Sequence, residues 1–366
     1  MRIFIDIGHP AHVHYFKNFI RLMRMNGHSF FITSRDKEMA QLLLNSEGID
    51  YVNRGKGSDH ALGKIIYMFK ADMFILKHAI KFKPDIFIGF ASFYTAQVSS
   101  ILRKPSIVID DTENGTLQQL FYRPFANTIL SPETFSKDFG SKHIKFSSYL
   151  ELAYLHPNYF KPDSNILNDL GVLEGEKFTI CRFVSWKANH DYGHSGLSIE
   201  SKIRAVKEYS KFGKVFITSE CALPEELKEF QIKIAPHKIH HALYFASLLY
   251  GESATMASEA AVLGTPAIYI DNEGRGYTDE QESKYKLVYN FNESVTQQQK
   301  SIDLGIDILS IENSNNIYHK RRDNILSDKI NFTKYLMWLV EGYPKSAKLL
   351  MINNDHQFNF RSNKNA

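Results

Sequence analysis

The sequence predicts an α/β protein built from two doubly wound domains, each a mostly parallel sheet with helices on both faces. Three observations carry this. Short continuous apolar runs alternate with longer runs of helical period, the pattern of strand–helix–strand units. The alternation breaks across residues 154–176, where His156-Pro, Lys161-Pro-Asp and Gly171 punctuate a polar stretch, and then resumes. The length of 366 residues is long for one domain and suits two.

In order, residues 2–7 read as a strand, 8–14 as a loop and 15–25 as a helix with Phe16, Phe19, Ile20 and Met23 on one face. Gly27 stops that helix and 28–33 form the second strand. Then come a helix near 36–46, a strand near Tyr51, a long helix within 61–82 and a strand at 85–89. A helix at 95–102, a strand at 106–109, a helix at 116–122, a strand near 128–130 and a helix from Pro132 complete the first domain, 1–155. Residues 156–176 read as the interdomain linker. The second domain, 177–328, opens with strand 177–183, helix 198–212 and strand 214–218, followed by helices 224–230 and 239–247. Within 251–270 lie a short loop, a helix over 255–263, a Gly264 stop and a buried strand from Pro266. Helices near 278–286 and 295–309 follow. A C-terminal helical segment occupies 329–350, with Phe332, Tyr335, Leu336 and Leu339 apolar, and the polar, Asn-rich tail 351–366 is expected to fray.

Composition excludes several classes. Hydrophobic content of 43% and charged content of 23% are ordinary for a soluble globular chain. A net charge of +4 does not argue for nucleic acid and suits a mildly basic face toward anionic substrates or lipids. Cys181 and Cys221 have neither metal-ligand spacing nor a disulfide framework, which points to the cytoplasm. The chain runs into a strand at Arg2, with no signal peptide expected. The longest charge-free run, 86–102, carries Gly89, Ser92, Thr95 and Gln97 and is not a membrane span.

Doubly wound domains bind ligands at the carboxyl ends of their strands, so two of them predict a cleft lined by the loops there. In the loop 251–255, Gly251, Ser253 and Thr255 place small side chains, hydroxyls and backbone N–H groups at a helix start, where phosphates bind. Glu259 lies one turn further, in a small-residue apolar helix, where either ribose hydroxyls or solvent would account for a carboxylate. His9, His12 and His14 crowd another loop and fit three roles: a metal site, hydrogen bonds to the loop backbone, or a general base. No carboxylate or cysteine cluster completes a metal site, so no metal is expected. A base needs its second ring nitrogen held, and Asp110, Asp111 and Glu113 follow a strand of the same sheet. The segment 182–196 is long, polar and aromatic for a connection. There Arg182 fits a diphosphate clamp and Trp186 a stacking platform; each also fits a structural role, the arginine in an ion pair and the tryptophan in the core. His190, Asp191 and His194 make only a weak metal pattern. Finally, 64–83 is hydrophobic on most sides with five lysines. It reads either as a sheet-covering helix with snorkelling lysines or as a monolayer contact suited to a lipid-linked acceptor.

Three motifs carry a resemblance: Gly8-His-Pro-Ala-His-Val-His14, Arg182-Phe-x-x-Trp-x-Ala-x-His-Asp191 and Thr255-Met-Ala-Ser-Glu-Ala-Ala-Val-Leu-Gly-Thr-Pro266. Over roughly residues 1–340 the chain resembles the GT-B superfamily, that is, nucleotide-sugar glycosyltransferases and non-hydrolysing sugar-nucleotide 2-epimerases. More narrowly it looks like an uncharacterised prokaryotic family of GT-B-like proteins named for a domain of unknown function. The resemblance implies a GT-B fold of two Rossmann-like domains, acceptor side first and donor side second, with the segment 329–350 crossing back to brace the first. It implies that Glu259 holds the donor ribose and that 251–255 binds the diphosphate; from the residues themselves, Arg182 would clamp the diphosphate and Trp186 would stack on the base or sugar of the donor. His12 stands 16 residues before His28, the spacing of the catalytic base in many inverting members, and Asp110 and Asp111 fall where the orienting aspartate would be. In this chain Pro10-Ala-His12 replaces the usual Pro-x-x-Gly-His. The implied reaction is inverting, metal-independent glycosyl transfer from a UDP-linked sugar to a glycan or lipid-linked acceptor in surface polysaccharide or glycoconjugate synthesis. His12 is its base and Asp111 orients that base, while His9, His14, Glu113, His190 and Asp191 contact sugar or acceptor. No cofactor beyond the nucleotide sugar is implied. The alternatives are a 2-epimerase and a nucleotide-sugar-binding protein without catalysis.

Overall fold

Strand β1 (Arg2–Ile7) is buried from Ile3 onward, and every strand that pairs with it or continues its sheet runs parallel to its neighbour. The computed structural model describes residues 1–58, 60–184 and 196–361, with backbone only at 61 and 62. After β1 come α1 (Pro10–Met25), β2 (Ser29–Ser34), α2 (Glu38–Ser46), β3 (Val52–Asn53), α3 (Ala61–Phe82) and β4 (Ile86–Phe90). They are followed by α4 (Phe93–Ile101), β5 (Ser106–Ile109), α5 (Thr116–Tyr122), β6 (Thr128–Pro132) and β7 (His143–Phe146). The strand order is β3-β2-β1-β4-β5-β6-β7, so the order reverses between β1 and β4. The loops after those two strands therefore diverge and leave a crevice of the kind that binds ligands. Strands β4, β5 and β6 are buried at every residue, as a sheet covered on both faces requires. One core cluster gathers Phe4, Ile75, Ala79, Phe87 and Val98, which joins α3 and α4 to the sheet.

The helix expected from Pro132 is absent: Pro132 ends β6 and lies in register with Phe146 of β7. Edge strand β7 has only four residues, too short for periodicity to reveal.

The chain separates into two compact units, Met1–Tyr154 together with the chain from Lys329, and Leu155–Asp328. The single turn α6 (Leu152–Leu155) lies at the junction, and α7 (Asn165–Leu170) opens the second unit proper. There follow β8 (Phe178–Phe183), α8 (Ile199–Tyr209), β9 (Lys214–Ser219), a 3-10 turn Glu225–Phe230, α9 (Ile239–Phe245), β10 (Leu248–Gly251) and α10 (Ala254–Leu263). Then come β11 (Ala267–Ile270), α11 (Gly276–Ser283), β12 (Val288–Phe291), α12 (Val295–Ser310) and α13 (Ser314–Asp328). This sheet is also parallel, ordered β12-β11-β10-β8-β9, with its reversal between β8 and β10. Helix α13 escaped the sequence reading because it buries only Ser314, Tyr318 and Ile325 and so shows little apolar periodicity.

In the first unit the chain resumes with α14 (Phe332–Glu341), capped by Asn331 through Lys334 N–H at 3.0 Å, and α15 (Lys345–Ile352). Phe332, Tyr335, Leu336, Leu339 and Val340 are buried, and α14 packs on α1. Residues 351–361 do not fray as their polarity predicts. The last residues of α15 run into a 3-10 turn, Asn354–Phe360, in which Phe360 and His356 pack on Trp338 at 5.3 and 4.9 Å between ring centroids. Buried Gln357 accepts the N–H of Ser147 at 2.7 Å. Two aromatic side chains and one buried amide outweigh the polar composition. No described helix is long and apolar enough to cross a membrane.

Candidate functional site

The loop expected over 8–14 is in fact only two residues long. His9, in extended conformation, caps α1 by accepting Ala11 N–H at Nδ1 (3.3 Å), and Pro10 starts the helix, its fixed φ and missing N–H both suited to that place. His12 and His14 are therefore helical residues about 200° apart around the axis. His14 stacks on Tyr154 at 5.0 Å, whereas His12 lies against Phe90 at 4.7 Å and His9 at 5.9 Å. Among the described residues no three His, Cys, Asp or Glu side chains converge as metal ligands do.

The Nδ1 atom of His12 accepts the backbone N–H of Gly8 at 3.2 Å. A backbone N–H can only donate, so this nitrogen carries a lone pair and the proton of the neutral ring sits on Nε2. Burial pushes the pKa of His12 well below the usual histidine range, and the nearby His9, Lys37 and Arg54 push it further the same way. His9 is lowered to about 4, first by the surrounding protein and then by Lys37. Both rings are neutral hydrogen-bond donors at the crevice.

The aspartates sit elsewhere than expected. Asp110 is buried and accepts from Tyr122 Oη at 2.6 Å, Thr112 N at 2.9 Å and Gln119 Nε2 at 3.4 Å. Burial raises its pKa, against the pull of those bonds. Asp111 accepts from Thr112 Oγ1 at 3.2 Å, and partly buried Glu113 follows in the turn before α5. The nitrogen of His12 that Asp110 or Asp111 was expected to hold is taken by Gly8.

A buried charged network that the sequence motifs do not include lies beside His12. Asp6, near the end of β1, and Arg54, just after β3, pair through two bonds, Nε to Oδ1 at 2.7 Å and Nη2 to Oδ2 at 3.1 Å. Asp6 also accepts from Thr33 Oγ1 at 2.8 Å and Ser92 Oγ at 3.2 Å. The guanidinium lies 4.5 Å from the Tyr94 ring centre and donates to the Tyr67 hydroxyl. A signal existed: a carboxylate inside the apolar run Ile3 to Ile7 requires a buried partner.

In the second unit Gly251 ends β10 so close to β8 that an added Cβ would stand 2.0 Å from the carbonyl oxygen of Arg182; only glycine fits. Ser253 caps α10, its Oγ accepting Met256 N–H at 3.3 Å, with Thr255 in the first turn. Glu259, on the same helix, is buried, and its Oε1 meets His240 Nε2 of α9 at 2.9 Å. His240, a lone histidine in a short helix, gave the sequence reading no reason to single it out. Glu252, beside Gly251, is a further buried carboxylate outside the predicted set, and it accepts Val184 N at 3.0 Å and Leu197 N at 2.6 Å. Arg182 is engaged at the end of β9. Its Nη1 donates to Thr218 Oγ1 of β9 at 2.7 Å and its Nη2 pairs with Glu220, which satisfies the ion-pair reading rather than the diphosphate clamp. Trp186, His190 and Asp191 lie outside the described residues. A pocket of about 710 Å³ in this unit, lined by Asn165, Asn168, Lys177 and Ser247, opens at the amino-terminal end of the sheet, far from these groups.

Comparison with known proteins agrees with this architecture. A family model described as protein of unknown function (DUF354) matches residues 1–281. An uncharacterized protein of Methanocaldococcus jannaschii, MJ0665, is 25% identical over 285 residues, 73% of this chain and 80% of that one. Among solved structures, the S. aureus MnaA–UDP co-structure superposes with a TM-score of 0.69 at 10% identity, over 94% of this chain and 97% of that chain. UDP-GlcNAc 2-epimerase from Neisseria meningitidis bound to UDP-GlcNAc gives 0.61 at 12%, over 91% and 100%. The spinosyn rhamnosyltransferase SpnG with spinosyn aglycone gives 0.60 at 12%, over 93% and 100%. At such identities the likeness establishes the fold, which is GT-B, as the motifs implied.

Proposed function

We propose that this chain, which belongs to the DUF354 family, is a glycosyltransferase that takes its sugar from a nucleoside diphosphate bound by the second unit. Glu259 carries the reading. It is a buried carboxylate on the helix that starts at the strand-order reversal, and His240 holds it in place. Within two turns of the Ser253 cap, the carboxylate stands where the ribose of a nucleotide would lie if its diphosphate met the start of α10. The amino-terminus of α10 then meets the diphosphate, whose charge grows as the glycosidic bond breaks, and no metal ion is needed for that. Uridine is the first base to test, because related folds hold UDP and UDP-GlcNAc. His12 enters as a neutral donor from Nε2 to an oxygen of the acceptor, in place of the base expected from the motif, and the acceptor hydroxyl's proton leaves to the departing diphosphate, whose oxygens gain charge as the glycosidic bond breaks. Inversion at the anomeric carbon, an acceptor that is a glycan or lipid-linked sugar, and a place in surface polysaccharide synthesis complete the proposal.

Calorimetry with UDP and UDP-sugars tests it. Glu259→Ala removes hydrogen bonds to a charged acceptor, worth about 1.5–3 kcal/mol, so affinity should fall roughly 10- to 150-fold. Unchanged affinity in a folded variant would remove the ribose role. A C2 epimer formed from the nucleotide sugar alone would turn the reading to epimerisation, and binding without turnover across acceptors would leave a non-catalytic binding protein.

A further inference from the structure

We propose that the outer face of α3 docks the protein on an anionic lipid surface. From Lys64 through the cap residue Lys83, the exposed positions of this helix are Lys64, Ile65, Ile66, Phe69, Lys70, Met73, Lys77, Ile80, Lys81 and Lys83. Each is a large apolar residue or a lysine. Phe69 and Met73 are 62% and 65% exposed, where a water-facing helix would carry polar side chains. At about 100° per residue the five apolar side chains fall within an arc of roughly 100°, and Lys70, Lys77 and Lys81 line its edge within about a further 60°. The stripe from Ile65 to Ile80 runs about 22 Å along the axis. The helix's acid, Asp72, is half-buried rather than exposed.

The helices packed beyond α3 also expose apolar residues. Helix α3 packs on α4 and α4 on α5. These add exposed Ile101, Leu117 and Leu120, with Arg103, Lys104 and Arg123 beside them. A continuous exposed apolar stripe such as the one along α3 marks an interaction site. Charge decides the partner. A second copy of the same face would set lysines against lysines, whereas an anionic bilayer takes the apolar stripe into its headgroup region and attracts the lysine rim. The interspersed lysines also keep α3 from crossing the bilayer, and it is no candidate for a span. Tyr67, on the first turns of α3, bonds Arg54 beside the His12 crevice, so the stripe begins near the carboxyl ends of β1 and β3. Docking stands apart from nucleotide binding; only the further step, that the acceptor is presented from the lipid surface, rests on the proposed function.

Vesicle sedimentation of the full chain tests docking, with phosphatidylcholine vesicles and with vesicles containing about a third phosphatidylglycerol. The chain should bind the anionic vesicles well and the neutral ones weakly. Lys70→Gln with Lys77→Gln should weaken anionic binding by about 30-fold, from roughly 1 kcal/mol per lysine, and should leave neutral binding unchanged. Ile66→Ser, Phe69→Ser and Met73→Ser together should weaken it by at least about 100-fold. All five positions are exposed, so the fold should persist, and UDP affinity measured without vesicles should stay that of the parent. Absence of vesicle binding overturns the proposal, as does binding indifferent to lipid charge and to both variants. A parent dimer that the serine variant converts to monomer, with no vesicle retention, also overturns it and assigns the stripe to self-association. UDP affinity lost in the parent while vesicle binding persists counts against the proposed function alone.

Discussion

His12 is defined chemically by the bond it accepts. With Gly8 N–H on Nδ1 the ring can offer a ligand only Nε2–H, and burial, joined by His9, Lys37 and Arg54, opposes a second proton. This arrangement suits polarising an oxygen, as neutral imidazoles do, and makes a poor base at pH 7. His12→Ala should therefore lower turnover by roughly 10²-fold or more, the low end of acid–base effects, and leave UDP affinity near the parent's. The rate profile should show no limb near pH 6.5 that disappears with His12. If such a limb exists, the ring is a base after all. Stability carries a second mark of the same shift. As pH falls through about 6.5, the unfolded chain protonates this histidine and the folded one does not, so the unfolded state binds more protons and the folded state loses ground. The thermal midpoint should drop less between about pH 7.5 and 5 in His12→Ala than in the parent.

The elements that carry the crevice are joined by the Asp6–Arg54 pair, which links β1, the end of β2 through Thr33, the chain after β3 and the cap of α4 through Ser92. Arg54 is only 7% exposed, so its removal leaves a buried carboxylate without its counter-charge. Arg54→Met should cost about 3–5 kcal/mol, read as a lower denaturant midpoint, and adding Asp6→Asn should restore part of it. A midpoint unchanged in Arg54→Met would show the pair to be dispensable. Along the chain, Asp6 in its apolar run signals the need for a buried partner but not which one, because 48 residues separate it from Arg54. Local signals succeeded where one element explained itself: β1 has the bounds that its apolar run predicts, and α10 follows its Ser253 cap and stops at Gly264, left-handed at φ 91°. They failed where a residue's role depends on a distant neighbour. His9 was read as one of a loop trio because capping by histidine is rare, Arg182 as a phosphate clamp because Glu220 belongs to another strand end, and Glu259 without the His240 that holds it.

At the scale of the whole chain, the first unit is closed by residues that come last in sequence. Ile330 N–H bonds the Ser147 carbonyl at 2.9 Å, Lys329 meets Glu133 at 2.7 Å, and Gln357 takes the N–H of Ser147. The apolar period of 332–339 foretold a helix, but nothing local to that helix names its partner; the buried ring of Phe332 against Phe146 at 4.6 Å does. Phe332, Tyr335, Leu336, Leu339 and Val340 bury five large side chains, worth about 1.5–3 kcal/mol each, or roughly 7–15 kcal/mol together. That is as large as the net stability of a typical domain, about 5–15 kcal/mol. A chain ending at Asp328 should therefore keep the second unit folded and lose the first. In denaturant it should show one transition, with residues 1–154 cut rapidly by protease and 155–328 protected. UDP binding should survive, since Ser253, Glu259 and His240 all belong to the second unit. Protection of 1–154 in the shortened chain would mean that the first sheet and its own helices suffice, and that the C-terminal helices only add to a unit already stable.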